Sequence, residues 1–254
     1  MSRPLLIAAA QFPVSGDIEK NAGYIQRQVS EAADVGATVV HFPETALPGY
    51  APSHLDSLEG FPWDLLSEHF LRIRELASSR QVWVVLGSIR RDNDGRPRIC
   101  QQVISDRGEV AGVYDKRRLY GAEKRMFRAG EEPCVVEIGG HRCGFLICYD
   151  NCFPELYAEY RDLGVGLLFH SFHNAANSRA TSIRDLMSAN LIVRAADHGM
   201  WISASNSSRR YSPLAACIVR PDGSRVSARR HVGGIVTDRY PNENLGWTYD
   251  NRTV

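Results

Sequence analysis

The chain is short of the features that mark several whole classes of protein. It has no long block of one charge: 30 basic and 29 acidic residues are interspersed over 254 positions, leaving a formal charge of +1. That balance argues against a nucleic-acid groove or a membrane-binding patch and favours a small, roughly neutral partner. Long apolar runs are missing too. The opening LLIAAA at 5–10 is shorter than a signal-peptide core and far shorter than the roughly 20 residues of a membrane helix, so it reads as a first strand. Only six cysteines are present, with no CxxC pair and no small-scaffold spacing. They read as reduced thiols, and the expected location is the cytoplasm. Cys143, Cys152, His141, His170 and His173 fit no standard zinc spacing, so no metal is expected. The "GVG" at 164–166 lacks the third glycine of a dinucleotide site. There is no fixed-period repeat and no low-complexity linker, which leaves residues 1–254 as one domain.

What is present is a series of short apolar, β-branched runs: 5–12, 37–44, 82–89, 142–149, 165–172 and 200–207, each resembling a buried strand. Helical patterns lie between them, at 21–35 before Gly36, at 63–79 with Leu66, Phe70, Ile73 and Ala77 in register, and at 181–198 before Gly199. This alternation predicts an α/β fold. Turn chemistry in "RDNDGRPR" (91–98) and "RPDGSR" (220–225) adds antiparallel hairpins, so the sheet is expected to be mixed.

Three polar residues stand at the ends of such strands. In "GFLICYDNCFPE" (144–155), Pro154 fits the first position of a helix closed by Gly164, which puts Cys148 in the strand-to-helix turn. Backbone N–H groups there favour a thiolate and the oxyanion that follows attack. Glu44 ends the run "VVHFPE", where partial desolvation raises a carboxyl towards the range of a general base. Lys116 follows "VAGVYD", whose alternation puts Asp115 and Arg117 on the face opposite the lysine. Each also has an ordinary reading: a small buried cysteine, an exposed loop glutamate, and a solvated run of three basic residues.

Taken together, "AAAQFPVSGDIEKNAGYI", "GATVVHFPETALPGY", "VYDKRRLYGAEKRMFRAG" and "CGFLICYDNCFPE" resemble the motifs of the nitrilase superfamily of carbon-nitrogen hydrolases, over nearly the whole chain. The resemblance implies a four-layer-forming αββα sandwich with mixed β-sheets, two of which stack as αββα–αββα in a homodimer or a higher homo-oligomer. It implies Glu44 as general base, Lys116 as oxyanion stabiliser and Cys148 as nucleophile, with Glu123 as an additional glutamate and the Tyr149 backbone N–H as a second oxyanion donor. No metal or organic cofactor is implied. The chain departs from the family pattern in several places: Ala158 stands where an arginine is frequent, Arg118 where a histidine is frequent, and "FHSFHNAANS" and "DHGMW" replace familiar segments. If the "FHSFHNA" segment borders the pocket, Phe172 and His173 shape it, with Tyr50 and Asn206 as further candidates. For Phe172 the alternative is a place in the core, and for His173 a solvated loop.

The expected activity is hydrolysis of a small, linear, non-peptide amide, a carbamoyl compound or an ω-amide of a dicarboxylic acid, to the acid and ammonia or an amine. Three other readings compete: a nitrilase; a cysteine hydrolase with His173 or His198 as base; and a small-ligand-binding protein that keeps the fold without turnover.

Overall fold

The computed structural model describes residues 3–54, 57–92, 95–175 and 184–241. Two six-stranded mixed sheets make up its centre. In the first, β1 (Leu5–Gln11), β2 (Val39–His41) and β3 (Trp83–Arg91) run parallel; β4 (Pro97–Ile104) and β5 (Val110–Asp115) extend one side antiparallel, and β12 (Gly234–Tyr240) closes the other. In the second, β7 (His141–Ile147), β8 (Leu167–Ser171) and β9 (Trp201–Ser205) are parallel. They are flanked by β6 (Val135–Ile138) and by β10 (Cys217–Val219) with β11 (Arg225–Ser227). Each parallel trio thus has antiparallel edges, and the chain builds the same arrangement twice.

The crossovers explain the outer layers. Helices α1 (Ile18–Asp34) and α3 (Trp63–Arg80), with the single turn α2 (Ala51–His54) between them, connect the parallel strands of the first sheet; α5 (Pro154–Asp162) and α6 (Arg184–His198) do so in the second. Another single turn, α4 (Glu123–Met126), follows β5. Helix α1 starts where Asp17 accepts a hydrogen bond from Lys20 N at 3.0 Å, three residues before the start the periodicity predicts. Its buried face carries Ile18, Ala22, Ile25, Val29 and Ala32, where each fully buried Ile or Val stabilises by about 1.5–3 kcal/mol. Helix α3 matches its predicted span within a residue, and α6 is described from Arg184 on, so residues 181–183 of that expectation lie outside the described residues.

Strands β2, β8 and β9 are buried at every position, as parallel strands covered on both faces must be. The layers are therefore helix, sheet, sheet, helix. Both sheets are mixed, as the turn chemistry predicts, and they face each other as in the αββα sandwich that the resemblance implies. Polar side chains cross that seam: His41 on β2 bonds Ser203 Oγ at 3.0 Å and Ser171 Oγ at 2.9 Å, and Gln101 Nε2 donates to Ser171 Oγ at 2.6 Å. Each buried donor and acceptor there is worth most when its partner is kept, which ties the register of one sheet to the other.

Both predicted hairpins form, β3 with β4 and β10 with β11; residues 93 and 94 of the first lie outside the described residues. Two predicted strands end early. The run at 37–44 leaves the sheet after His41, and β7 stops at Ile147, since Cys148 adopts φ +46° and cannot continue a strand. No described helix is long and apolar enough to cross a membrane.

Candidate active site

Glu44, Lys116 and Cys148 each follow the carboxyl end of a strand, β2, β5 and β7 respectively. Local backbone contacts fix all three positions. Glu44 N donates to Phe172 O at 3.2 Å, bridging the two sheets, while Lys116 N donates to Ile99 O at 2.8 Å and Lys116 O accepts from Gly130 N at 2.8 Å. The nucleophile candidate opens a short 3-10 turn, Cys148–Cys152, rather than a plain loop. Its left-handed backbone costs about 1–2 kcal/mol in a residue with a Cβ. Thr45, next to Glu44, has φ +49° as well, so among the described residues two of the four non-glycine positions with positive φ flank or form this cluster.

The side chains meet. Lys116 Nζ donates to Glu44 Oε1 at 2.6 Å and to Glu123 Oε1 at 2.7 Å. Glu123 also accepts from Tyr50 O–H at 2.7 Å and from Tyr120 N at 2.8 Å. Glu44 and Lys116 have no exposed surface and Glu123 is 1 % exposed. The solvated basic run and the exposed loop glutamate are thereby excluded, and Glu123 pairs with Lys116 rather than with Lys124 or Arg125. Cys148 alone of the four is half-buried. The thiol interacts with the Glu44 carboxyl and receives the backbone N–H of His173.

The electrostatics follow from burial with a single cation between two carboxylates. Burial raises the Glu44 carboxyl, Lys116 opposes the rise and Glu123 adds to it, leaving it at about 7. Burial disfavours the Lys116 ammonium, but Glu44, Cys148 and Glu123 outweigh it and hold the lysine charged, above its ordinary value. The Cys148 thiol is pushed well above its ordinary range, first by burial and then by Glu44, with Lys116 pulling the other way. A thiol held protonated beside a carboxyl near 7 gives up its proton as the sulfur attacks, not before.

Two residues that the sequence reading missed position the cluster. Asp150 is fully buried and accepts from Tyr114 O–H at 2.8 Å, Ile147 N at 2.9 Å and Arg118 N at 2.9 Å, which ties the cysteine turn to the lysine loop. Burial raises its carboxyl to about 6. Gly87 on β3 lies so close to Pro43 that an added Cβ would sit 1.9 Å from the Pro43 carbonyl oxygen. A lone glycine inside the strand pattern "VWVVLGSI" was the available signal for that approach.

Of the weaker candidates, Tyr50 belongs to the cluster through Glu123. His173 is 3 % exposed and stacks on Tyr50 at 5.0 Å, so it is a buried neighbour of the thiol and not a solvated loop residue. Tyr149, half-buried, packs between Tyr120 at 5.1 Å and Phe153 at 5.3 Å. The other two candidates lie deeper. Phe172 is fully buried with its ring stacked on His170 at 4.2 Å, a core position. Asn206 is fully buried as well, and its amide nitrogen bonds Asn174 Oδ1, Ser212 Oγ and Leu214 O, so it braces a loop. His198 stacks on Tyr157 at 6.1 Å, and the carboxyl at the thiol is Glu44. Among the described residues, no three His, Cys, Asp or Glu side chains gather as metal ligands.

The sequence profile of the family described as "carbon-nitrogen hydrolase" matches residues 6–237. The chain belongs to that family. This carbon-nitrogen hydrolase is 33% identical over 163 residues to the glutamine-dependent NAD(+) synthetase of Aquifex aeolicus and 34% over 174 residues to that of Thermotoga maritima. Those matches take in 59% and 66% of this chain but only 26% and 29% of the synthetases, so the hydrolase spans little more than a quarter of each. A hydrolase of Mycobacterium tuberculosis is 30% identical over 172 residues, 64% of this chain and 59% of its own. Among solved structures, an amidase from Nesterenkonia sp. superposes with a TM-score of 0.81 at 24% identity, covering 98% of this chain and 93% of the amidase. That likeness is one of fold.

Proposed function

We propose that the protein hydrolyses the carbon-nitrogen bond of a small, linear, non-peptide amide through a thioester on Cys148. One observation carries the reading: the half-buried Cys148 sets its thiol beside a fully buried Glu44–Lys116–Glu123 cluster whose Glu44 carboxyl sits at about 7. In the first half, the Cys148 sulfur bonds to the amide carbon while Glu44 takes the thiol proton. The carbonyl oxygen gains charge, held by the Lys116 ammonium and the Tyr149 N–H. The carbon-nitrogen bond then breaks, Glu44 returns its proton to the nitrogen, and ammonia or an amine leaves. In the second half Glu44 takes a proton from water, the hydroxide attacks the thioester, and the acid departs as the thiol is restored. Glu123, bonded to Lys116 and Tyr50, keeps the ammonium aimed at the reacting centre. The stacked rings of Tyr50 and His173 beside the thiol favour a compact acyl group.

A second reading is favoured by the 33–34% identity to glutamine-dependent synthetases: the amide is the side-chain amide of an amino acid such as glutamine, with ammonia as the product. A glutamate-to-glutamine mutant of an amidase from Nesterenkonia sp. AN1, similar in fold, takes covalent addition of the acetamide moiety of fluoroacetamide at its active-site cysteine, which supports a nucleophilic cysteine.

The test is intact-protein mass spectrometry of wild type and Cys148→Ala after brief exposure to aliphatic amides, glutamine and matched nitriles, with ammonia followed in parallel. The expected result is a transient acyl adduct, absent from Cys148→Ala, with ammonia from at least one amide. Turnover of nitriles only would make the enzyme a nitrilase. A folded protein that neither forms an adduct nor releases ammonia would be a ligand-binding protein.

A further inference from the structure

One aromatic residue beside the site is left in water although its main chain is tightly held. Tyr120 N donates to Glu123 Oε2 at 2.8 Å, and Tyr120 O accepts from Glu123 N at 3.0 Å. Tyr120 is nevertheless 60 % exposed, more than any other large hydrophobic residue among those described. Its ring meets that of Tyr149, the residue after Cys148, at 5.1 Å between centroids. Tyr149 in turn meets Phe153 edge to face at 5.3 Å, and the Arg118 guanidinium lies over the Phe153 ring at 4.9 Å while reaching Glu155 at 3.4 Å. Tyr149 and Phe153 are half-buried. Three rings in contact thus run from the cysteine turn to the surface, and the mechanism uses only the Tyr149 main chain.

A ring that only completes a core is covered by it. Here the rings remain partly open at the edge of a site whose Glu44, Lys116 and Glu123 are closed off, and an apolar surface continuous with a reactive group marks a ligand contact. We propose that Tyr120, Tyr149 and Phe153 form the shelf that receives the far end of the acyl group, and that the preferred substrates are amides carrying a flat aromatic ring one or two carbons beyond the carbonyl. The spacing sets that length. Tyr149 is one residue from the nucleophile, about 3.8 Å between Cα atoms, and aromatic rings attract one another at about 4.5–7 Å between centroids, so a ring in contact with the shelf stands just beyond the reacting carbon. In a primary amide the leaving group is ammonia, and everything past the reacting atoms is acyl group. The Tyr50–His173 stack keeps the atoms next to the carbonyl slender, which places the bulk further out. Phe153, capped by Arg118, packs against Tyr149 on the side away from Tyr120, so the shelf is ordered before the ring arrives.

This inference deepens the proposed amide chemistry and rests on it, and two measurements keep the two apart. The first needs no turnover: calorimetric titration of Cys148→Ala with butyramide, cyclohexylacetamide, phenylacetamide and 3-phenylpropionamide. A ring pair adds roughly 2-fold to 10-fold in affinity beyond the area it covers, so phenylacetamide is expected to bind tighter than cyclohexylacetamide by that factor, and both tighter than butyramide. Adding Tyr120→Ala should remove most of the aryl preference, and Tyr120→Phe should keep it. Equal binding of all four amides, or an aryl preference that Tyr120→Ala leaves intact, overturns the proposal. The second is the ratio of kcat/KM for 3-phenylpropionamide to that for butyramide, from initial rates of ammonia release. The ratio is expected to fall by about tenfold in Tyr120→Ala and to hold in Tyr120→Phe. A fall of equal size for both amides, which leaves the ratio unchanged, would mean that Tyr120 acts only through Glu123, and overturns the shelf. Faster turnover of N-benzylacetamide than of phenylacetamide would put the ring on the leaving group and overturns the assignment to the acyl side. A wild type that releases ammonia from no amide refutes the proposed function, while the titration still decides whether the shelf binds a ring.

Discussion

Gly87→Ala is the substitution in which the geometry makes its sharpest demand. Gly87 pairs with Gln101 across β3 and β4, nowhere near the thiol in sequence. Its added Cβ would stand 1.9 Å from the Pro43 carbonyl oxygen and 2.8 Å from the Thr45 nitrogen, on either side of Glu44. Real Cβ atoms keep at least 3.0 Å from such neighbours, so the Pro43–Thr45 backbone must retreat by about 1 Å. Nothing flexible can yield instead, because both atoms are main chain and Glu44 N is held by Phe172 O. A displacement of about 1 Å at a catalytic group costs on the order of 100-fold in rate, and overpacking of this kind destabilises by about 1–3 kcal/mol. The expected result is a roughly 100-fold loss in kcat/KM for ammonia release from a protein that still unfolds cooperatively. Gly23→Ala is the control. It lies exposed in α1 with nothing within 4 Å of its added Cβ, so activity should hold and stability should rise by about 0.5–1 kcal/mol. Wild-type turnover in Gly87→Ala would refute the claim that the β3 backbone sets the position of Glu44.

Three further outcomes are expected. With Glu44 at about 7 and only its ionised form able to take a proton, kcat/KM should fall tenfold per pH unit well below 7. Because Glu123 raises Glu44, Glu123→Gln should move that acid limb to lower pH; a limb left in place by Glu123→Gln, measured by initial rates from pH 5 to 9, counts against the coupling. Lys116→Met leaves two buried carboxyls facing each other without their cation, a loss of about 3–5 kcal/mol by urea unfolding at pH 8. That loss should shrink as the pH falls and the carboxyls take up protons, and a loss under about 1 kcal/mol would contradict the buried pairing. Cys148→Gly and Cys148→Ala should both abolish turnover. The glycine variant should be the more stable by about 1 kcal/mol, since φ +46° carries no Cβ penalty there; equal melting temperatures would remove the case for strain at Cys148.

Much of the fold was legible because parallel strands covered on both faces read as unbroken apolar runs, as "ATVVHFPE" and "VGLLFHSF" do. The division into two sheets was not legible from those runs, since it depends on partners far apart in sequence: β12 pairs with β1 across more than 220 residues. The ends of strands were misread where function intervenes. An unbroken apolar run carries "RCGFLICY" through Cys148, and nothing in the residue type announces a left-handed backbone there.

The site was legible as residues and illegible as environment, for one physical reason. A lysine in "DKRR" looks solvated because a charge is costly to bury, and the compensation lies 72 positions away in Glu44 and seven away in Glu123. Neither carboxylate explains the lysine alone. With Glu44 as sole partner, one ammonium and one carboxylate would stabilise each other and hold Glu44 low, where it is a poor base. The second carboxylate takes a share of the ammonium and repels the first, which lets burial lift Glu44 to about 7 while Lys116 stays charged. Tyr50 O–H and Tyr120 N–H then satisfy Glu123 without touching Glu44, so the asymmetry between two like residues comes from their hydrogen bonds. Glu44 keeps one buried oxygen, Oε2, without a hydrogen bond of normal geometry. That oxygen is the acceptor left to the thiol beside it, which is the lone pair that the proposed chemistry uses.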